Sequence, residues 1–301
     1  MKKVFTRMIR SNKCKSITCV MLIAMISMSM VSCSNDDDGS LPVTINEIPQ
    51  NIKNLIYFNG DEKASTVLIN VQAGPDIVLD EELVDDLSQA LRPKGILTVN
   101  VHQAQTLNPG ILEDEDITLD QAVTFNAQSV ETLYQVVKHF KDEGRTVYIL
   151  GASFGAFIAQ ELIAQKGIDV ADKYLIITGR LDMNDVFWQA LAEGRNGDFE
   201  NGITPILDQE PASTVFERNE ARLFASLIMN RYTQDFSSIQ SLSDVTYVYG
   251  TTDEAVGSLT NEEVAFLESK NTNILSGNGG HDEPFEGYVE QGFSLAFGIE
   301  F

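Results

Sequence analysis

The ten residues from Tyr148 to Phe157 constrain this chain more than any others. They read Tyr-Ile-Leu-Gly-Ala-Ser-Phe-Gly-Ala-Phe. Val147 to Leu150 are β-branched, aromatic or aliphatic, as a buried strand requires. Phe157, Ile158, Glu161, Leu162 and Gln165 follow at helical spacing, apolar on one side. Between the two lies Gly151-Ala152-Ser153-Phe154-Gly155. A serine at such a junction sits on a sharp turn with its hydroxyl thrust out above the sheet, and glycines leave room where backbones nearly touch. The N–H of Phe154 opens the helix and points into the same space. That is the geometry of a nucleophile elbow in an α/β architecture. Alone, the pentad is also compatible with a structural turn.

Two later stretches narrow the reading. Val245–Tyr249 is a second buried-strand run, followed by Gly250-Thr251-Thr252-Asp253-Glu254-Ala255-Val256. Asn273–Ser276 is a short strand, followed by Gly277-Asn278-Gly279-Gly280-His281-Asp282. Ser153, Asp253 and His281 therefore each follow the C-terminal end of an expected strand, where parallel sheets gather their sites. With these residues in view the chain resembles the α/β-hydrolase family, from about Asn54 to the C-terminus. The resemblance implies a mostly parallel central sheet flanked by helices. It also implies a Ser153–His281–Asp253 triad that transfers an acyl group to water through an acyl-serine. An oxyanion hole would be formed by the N–H groups of Phe154 and of Gly74 in the loop Gln72-Ala73-Gly74-Pro75, with Ala73 as the second choice of donor. In the family this loop is often His-Gly-Gly-Pro-like, and here Gln72 and Ala73 replace the first two residues. Asp182 and Glu254 are rivals for the acid, but Asp253 matches the Gly-x-x-Asp-x-x-Val pattern. A serine peptidase acting on amides, and a silent binding module on the same fold, are the alternatives to an esterase.

Charge and cysteine content exclude other classes. Of 21 basic and 44 acidic residues, six basic and no acidic ones fall within 1–32, so the remainder carries 15 against 44, a net of −29. Such a surface repels phosphate backbones and makes nucleic acid an unsuitable partner. The three cysteines are Cys14, Cys19 and Cys33, so residues after Cys33 offer no disulfide, thiolate nucleophile or Cys-based metal site. No His-x-x-x-His or similar ligand cluster exists, and no metal or cofactor is expected.

The N-terminus carries its own address. A basic stretch to Lys15 precedes an apolar run from Ile17 to Val31, too short to span a bilayer, which reads as a secretory signal over residues 1–32. Met30-Val31-Ser32-Cys33 resembles a bacterial lipobox, which implies lipidation of Cys33 and a membrane anchor. Residues 33–40 form an acidic tether, similar to the export tag of Bacteroidota surface lipoproteins. The resemblance places the protein on the outer membrane of the cell envelope.

The domain is expected over 41–301. Strands are expected over Val43–Ile48, Leu55–Phe58, Thr66–Val71, Ile96–Val101 and Tyr174–Thr178, and helices over Leu79–Leu91, Thr118–Glu143 and Pro284–Phe297. His102, at a strand end, reads as structural or exposed, and His139 as part of a solvated helix end. The pattern changes at about 180–243, where the family often carries a helical lid. That segment is expected to hold a loop from Gly194 to Gly202 and a helix near Ala212–Tyr232, and to lend Phe187, Trp188 or Phe199 to a substrate pocket. Asp182, Asp185 and Glu193 could hold a free amino group there. Candidate substrates are small acyl esters, lipids, glycan esters or peptides.

Overall fold

The computed structural model describes residues 45–301. The expected secretory segment, the expected lipobox with Cys33 and the expected acidic tether lie outside them. A seven-stranded sheet runs through the centre: β1 (Ile56–Asn59), β2 (Thr66–Val71), β3 (Ile96–Val101), β4 (Thr146–Ala152), β5 (Lys173–Ile177), β8 (Val245–Gly250) and β9 (Asn273–Gly277). Their spatial order is β1-β3-β2-β4-β5-β8-β9. β1 is antiparallel to β3 and every other pairing is parallel. β2, β3, β4 and β5 are buried almost throughout, which accounts for their unbroken apolar runs.

Among the described residues the sheet is accompanied by seven longer helices: α1 (Glu81–Leu91), α2 (Leu119–Asp142), α3 (Phe154–Lys166), α4 (Asp185–Ala192), α5 (Val215–Ile228), α6 (Asn261–Ser269) and α7 (Val289–Phe297). Two hydrophobic clusters separate the layers. The larger packs α2, α3 and α5 on one face of the sheet, and the smaller packs α1 and α7 on the other. Asp80 accepts from Leu83 N–H at 3.0 Å, and Thr118, Thr214 and Thr260 each close a capping box.

Four expectations are revised. Residues 45–48 form no strand. They are held by Arg145, whose buried guanidinium donates to Asn46 O at 3.0 Å, and by Ile48 in the core. The loop expected over Gly194–Gly202 contains a strand, β6 (Gly197–Glu200), which pairs antiparallel with β7 (Thr204–Leu207). Ile203 N–H closes the turn onto Glu200 O at 3.1 Å, with Asn201 and Gly202 both at positive φ, the conformation an Asn-Gly pair favours. The expected Ala212–Tyr232 helix ends at Ile228, and a separate turn spans Tyr232–Asp235. His139 is mostly covered, tilted against Phe140 with ring centres 5.1 Å apart, rather than solvated.

Candidate active site

Ser153 sits between β4 and α3 with φ +50° and ψ −119°, a conformation rare outside glycine. Its neighbours explain why the turn holds. A Cβ on Gly155 would lie 1.9 Å from Val71 O, and one on Gly151 would lie 2.7 Å from Gly155 O. The two glycines let the start of α3 press against the end of β2. The strained serine is fixed by its own N–H, which donates to Ile177 O at 3.0 Å.

The three strand ends converge. His281 Nε2 lies 3.1 Å from Ser153 Oγ, and His281 Nδ1 lies 3.0 and 2.9 Å from the two oxygens of Asp253. An ionised carboxylate can only accept, so Nδ1 carries the proton and Nε2 is left to accept from the serine hydroxyl. Asp253 is itself held: its Oδ1 accepts the N–H groups of Ala255 and Val256, each at 2.9 Å. Burial pushes the His281 pKa down. The hydrogen bond and charge of Asp253, with Asp282 and Glu254 adding, outweigh that and hold it above the ordinary histidine value.

The rival acids have other partners. Glu254 accepts the backbone N–H of His281 at 3.0 Å, so it holds the histidine loop rather than the imidazole. Asp182 accepts from the hydroxyl and the N–H of Thr233, tying the start of the insertion to its later part.

The loop after β2 is clamped by side-chain amides. Gln72 Oε1 accepts Asp80 N–H at 2.9 Å and Asn100 Nδ2 at 3.0 Å, and Gln72 Nε2 donates to Val78 O at 3.0 Å. Gln103 Nε2 donates to Gln72 O at 3.0 Å. These bonds hold the loop that carries Ala73 and Gly74 at the rim of the cavity. Gly74 has φ +141°, and a Cβ there would meet Asp76 N at 2.6 Å, so only glycine fits. Phe154 N–H is the first of the helix and has no carbonyl within it to bond.

A cavity of about 790 Å³ opens over the serine, lined among others by Ala73, Gly74, His102, Ser153, Glu220 and His281. His102 thus faces the site rather than solvent, and burial lowers its pKa, with Glu81 acting the other way. The aromatics expected there are elsewhere. Phe187 and Phe199 are buried against each other with ring centres 4.4 Å apart, and Trp188 donates its Nε1–H to Asp185 at 3.0 Å. Asp185 also pairs with Arg231, and Glu193 with Arg195 at 3.0 Å, so the acids expected to hold an amine are engaged outside the cavity. Glu220, on α5, carried no motif that would have singled it out. Among the described residues no group of His, Cys, Asp or Glu is arranged to hold a metal ion, and no helix is long and apolar enough to cross a membrane.

No protein-family model matches the sequence, and no curated protein matches it. Solved structures do match. An α/β hydrolase enzyme, MGS-M2, from a Medee basin deep-sea metagenome library is 14% identical, over 82% of this chain and 95% of its own, with a TM-score of 0.50. The esterase EaEST from Exiguobacterium antarcticum is 10% identical over 80% and 92%, also at 0.50. DcsB, solved in complex with its substrate analogue, is 16% identical over 79% and 90%, again at 0.50. At such identities the likeness is one of fold. Together with the mostly parallel sheet and its flanking helices, it shows that this chain has the α/β-hydrolase fold.

Proposed function

We propose that the protein is a serine hydrolase that cleaves a carboxylic ester. The reading is carried by one observation, the unbroken chain Ser153 Oγ–His281 Nε2 and His281 Nδ1–Asp253 at 3.1 and 2.9 Å beneath an open cavity. As Ser153 Oγ attacks the acyl carbonyl, its proton passes to His281 Nε2, and Asp253 steadies the resulting imidazolium. The N–H groups of Phe154 and Gly74 hold the oxyanion, each such donor worth about 10²–10³ in kcat. His281 returns the proton to the leaving oxygen. Water then repeats the cycle on the acyl-serine, releasing the acid and restoring Ser153. Structural neighbours that are α/β-hydrolase enzymes, an esterase among them, agree with this chemistry.

The test is labelling by a fluorophosphonate together with hydrolysis of short acyl esters. Both are expected from the native chain and neither from Ser153→Ala, with circular dichroism unchanged. An unlabelled, inactive native protein of intact fold would leave a silent binding module. Aminoacyl amides in the same panel separate esterase from peptidase.

We further propose that Cys33 is the lipidated N-terminus of the mature protein, tethering the domain to the outer membrane. Membrane fractions should hold the native chain, and Cys33→Ala should release it. An unmodified peptide spanning Ser32 and Cys33 in the mature protein excludes the anchor.

A further inference from the structure

The cavity over Ser153 has a one-sided chemistry. Asp76, Asp80, Glu81, Glu82, Glu220 and Asp282 line it, and among the described residues no Lys or Arg does. An acid-rich chain accounts for carboxylates that stand in water. It does not account for Glu220, which is partly buried on α5 and has no hydrogen-bond or ion-pair partner among the described residues. Burying an unpaired carboxylate costs free energy, and the group responds by holding its proton. Burial, with the charges of Asp76 and Glu217 adding, raises the Glu220 pKa to about 7.

Two arginines lie close in sequence, yet neither serves it. Arg218 and Arg222 are each two residues from Glu220, roughly 200° around the helix. Both reach Asp116, at 2.8 and 2.5 Å. Beside them Asn219 is fully buried, accepting Ile117 N–H at 2.9 Å and donating to Ile111 O and Glu115 O at 3.0 and 2.7 Å. These bonds fix the roll of α5 and leave Glu220 on the side of the cavity.

Two neutral groups in the same wall also lack donors. Asn100 Nδ2 donates to Gln72 Oε1 and to Asp80 O, at 3.0 and 3.1 Å, so its Oδ1 is what faces Asn70. Asn70 must then offer Nδ2, at 3.2 Å, and its fully buried Oδ1 has no partner among the described residues. Thr106 Oγ1 donates to Gln103 O at 2.8 Å, so its contact with His102 Nδ1 at 3.0 Å requires a proton on Nδ1. His102 Nε2 is therefore an acceptor. Glu220, Asn70 Oδ1 and His102 Nε2 all wait for hydrogen to be donated to them.

We propose that the substrate of this site carries an ammonium group, received by Glu220 and drawn in by the carboxylates around it. The ester or amide cleaved at Ser153 is thus a cationic acyl compound. This rests on the hydrolase reading above, and it names the substrate class of that site.

Isosteric pairs test it at pH 8, where Glu220 is ionised. On the acyl side, a 4-(dimethylamino)butanoyl ester is compared with its 5-methylhexanoyl counterpart. On the leaving side, a 2-(dimethylamino)ethyl ester is compared with its 3-methylbutyl counterpart. The cationic member of one pair should be favoured in kcat/KM by about ten- to a hundredfold, as for a hydrogen bond to a charged group. The favoured pair shows which side of the scissile bond carries the charge. Glu220→Gln should collapse that ratio, and Glu220→Arg should invert it. Neutral esters turned over with no preference in either pair would overturn this inference and leave the hydrolase reading intact. No turnover and no fluorophosphonate label would overturn the hydrolase reading instead. In that case calorimetry of butylammonium against 1-pentanol on Ser153→Ala decides the cavity's preference alone. Equal binding of the two overturns it, and tighter binding of butylammonium that Glu220→Gln abolishes upholds it.

Discussion

His281 must be neutral at Nε2 before it can take the proton of Ser153, so activity should fall as pH drops through its pKa. That pKa is held above the ordinary value against burial, chiefly by Asp253. Asp253→Asn removes the group that opposes burial. The acidic limb of kcat/KM should then move to lower pH while its plateau falls, by about 10⁴ in kcat where the amide favours the wrong tautomer. Asp182→Asn should leave both limb and plateau near native, because Asp182 bonds Thr233 and not the imidazole. A pH series of kcat and kcat/KM on both variants reads this directly. A crippled Asp182→Asn beside a near-native Asp253→Asn would move the acid to the end of β5.

Among the elements, legibility tracks how local the determining interaction is. The elbow was legible because a strand, two glycines and an amphipathic helix are all encoded within twenty residues. The caps at Asp80, Thr118 and Thr260 are as local, each being a bond across three residues. The β6–β7 hairpin was readable in part: Asn201-Gly202 is a turn signal, but four-residue strands with only Phe199 fully buried leave no clear alternation. The clamp on the loop after β2 was not readable. Gln72, Asn100 and Gln103 are ordinary polar residues in sequence, and they meet only because β2 and β3 align Asn70 with Asn100. Glu220 was hidden likewise. One more charge on a charged helix becomes distinctive only when Asp116 and Asn219 set the roll of that helix.

At the scale of the whole molecule, two of the attachments of the insertion over residues 178–244 bear on the site. Its hairpin is stitched to the Asp253 loop, Phe199 N–H donating to Glu254 O at 2.7 Å and Ser258 N–H to Gly202 O at 2.8 Å. Its helix α5 is held to the segment 111–117 by Asn219 and by the Asp116 pair. The first attachment holds the loop of Asp253, the proposed acid, and the second places Glu220. They can be separated. Asn219→Ala deletes the hydrogen bonds with Ile117 N–H, Ile111 O and Glu115 O and the longer one from Arg222, and strands Ile117 N–H with two carbonyls, each unmade bond costing about 1–3 kcal/mol. Hydrogen exchange should accelerate over 111–117 and 215–228, while the amides of β4 and β5 keep their protection. Fluorophosphonate should still label Ser153, because Ser153, His281 and Asp253 are held by β4, the hairpin and the loop bonds of Glu254. The discrimination between cationic and neutral esters should shrink, because Glu220 would no longer be held against the cavity. Loss of labelling together with loss of β4 protection would mean instead that α5 supports the entire site, and that the insertion cannot be divided into a part that secures the triad and a part that selects the substrate.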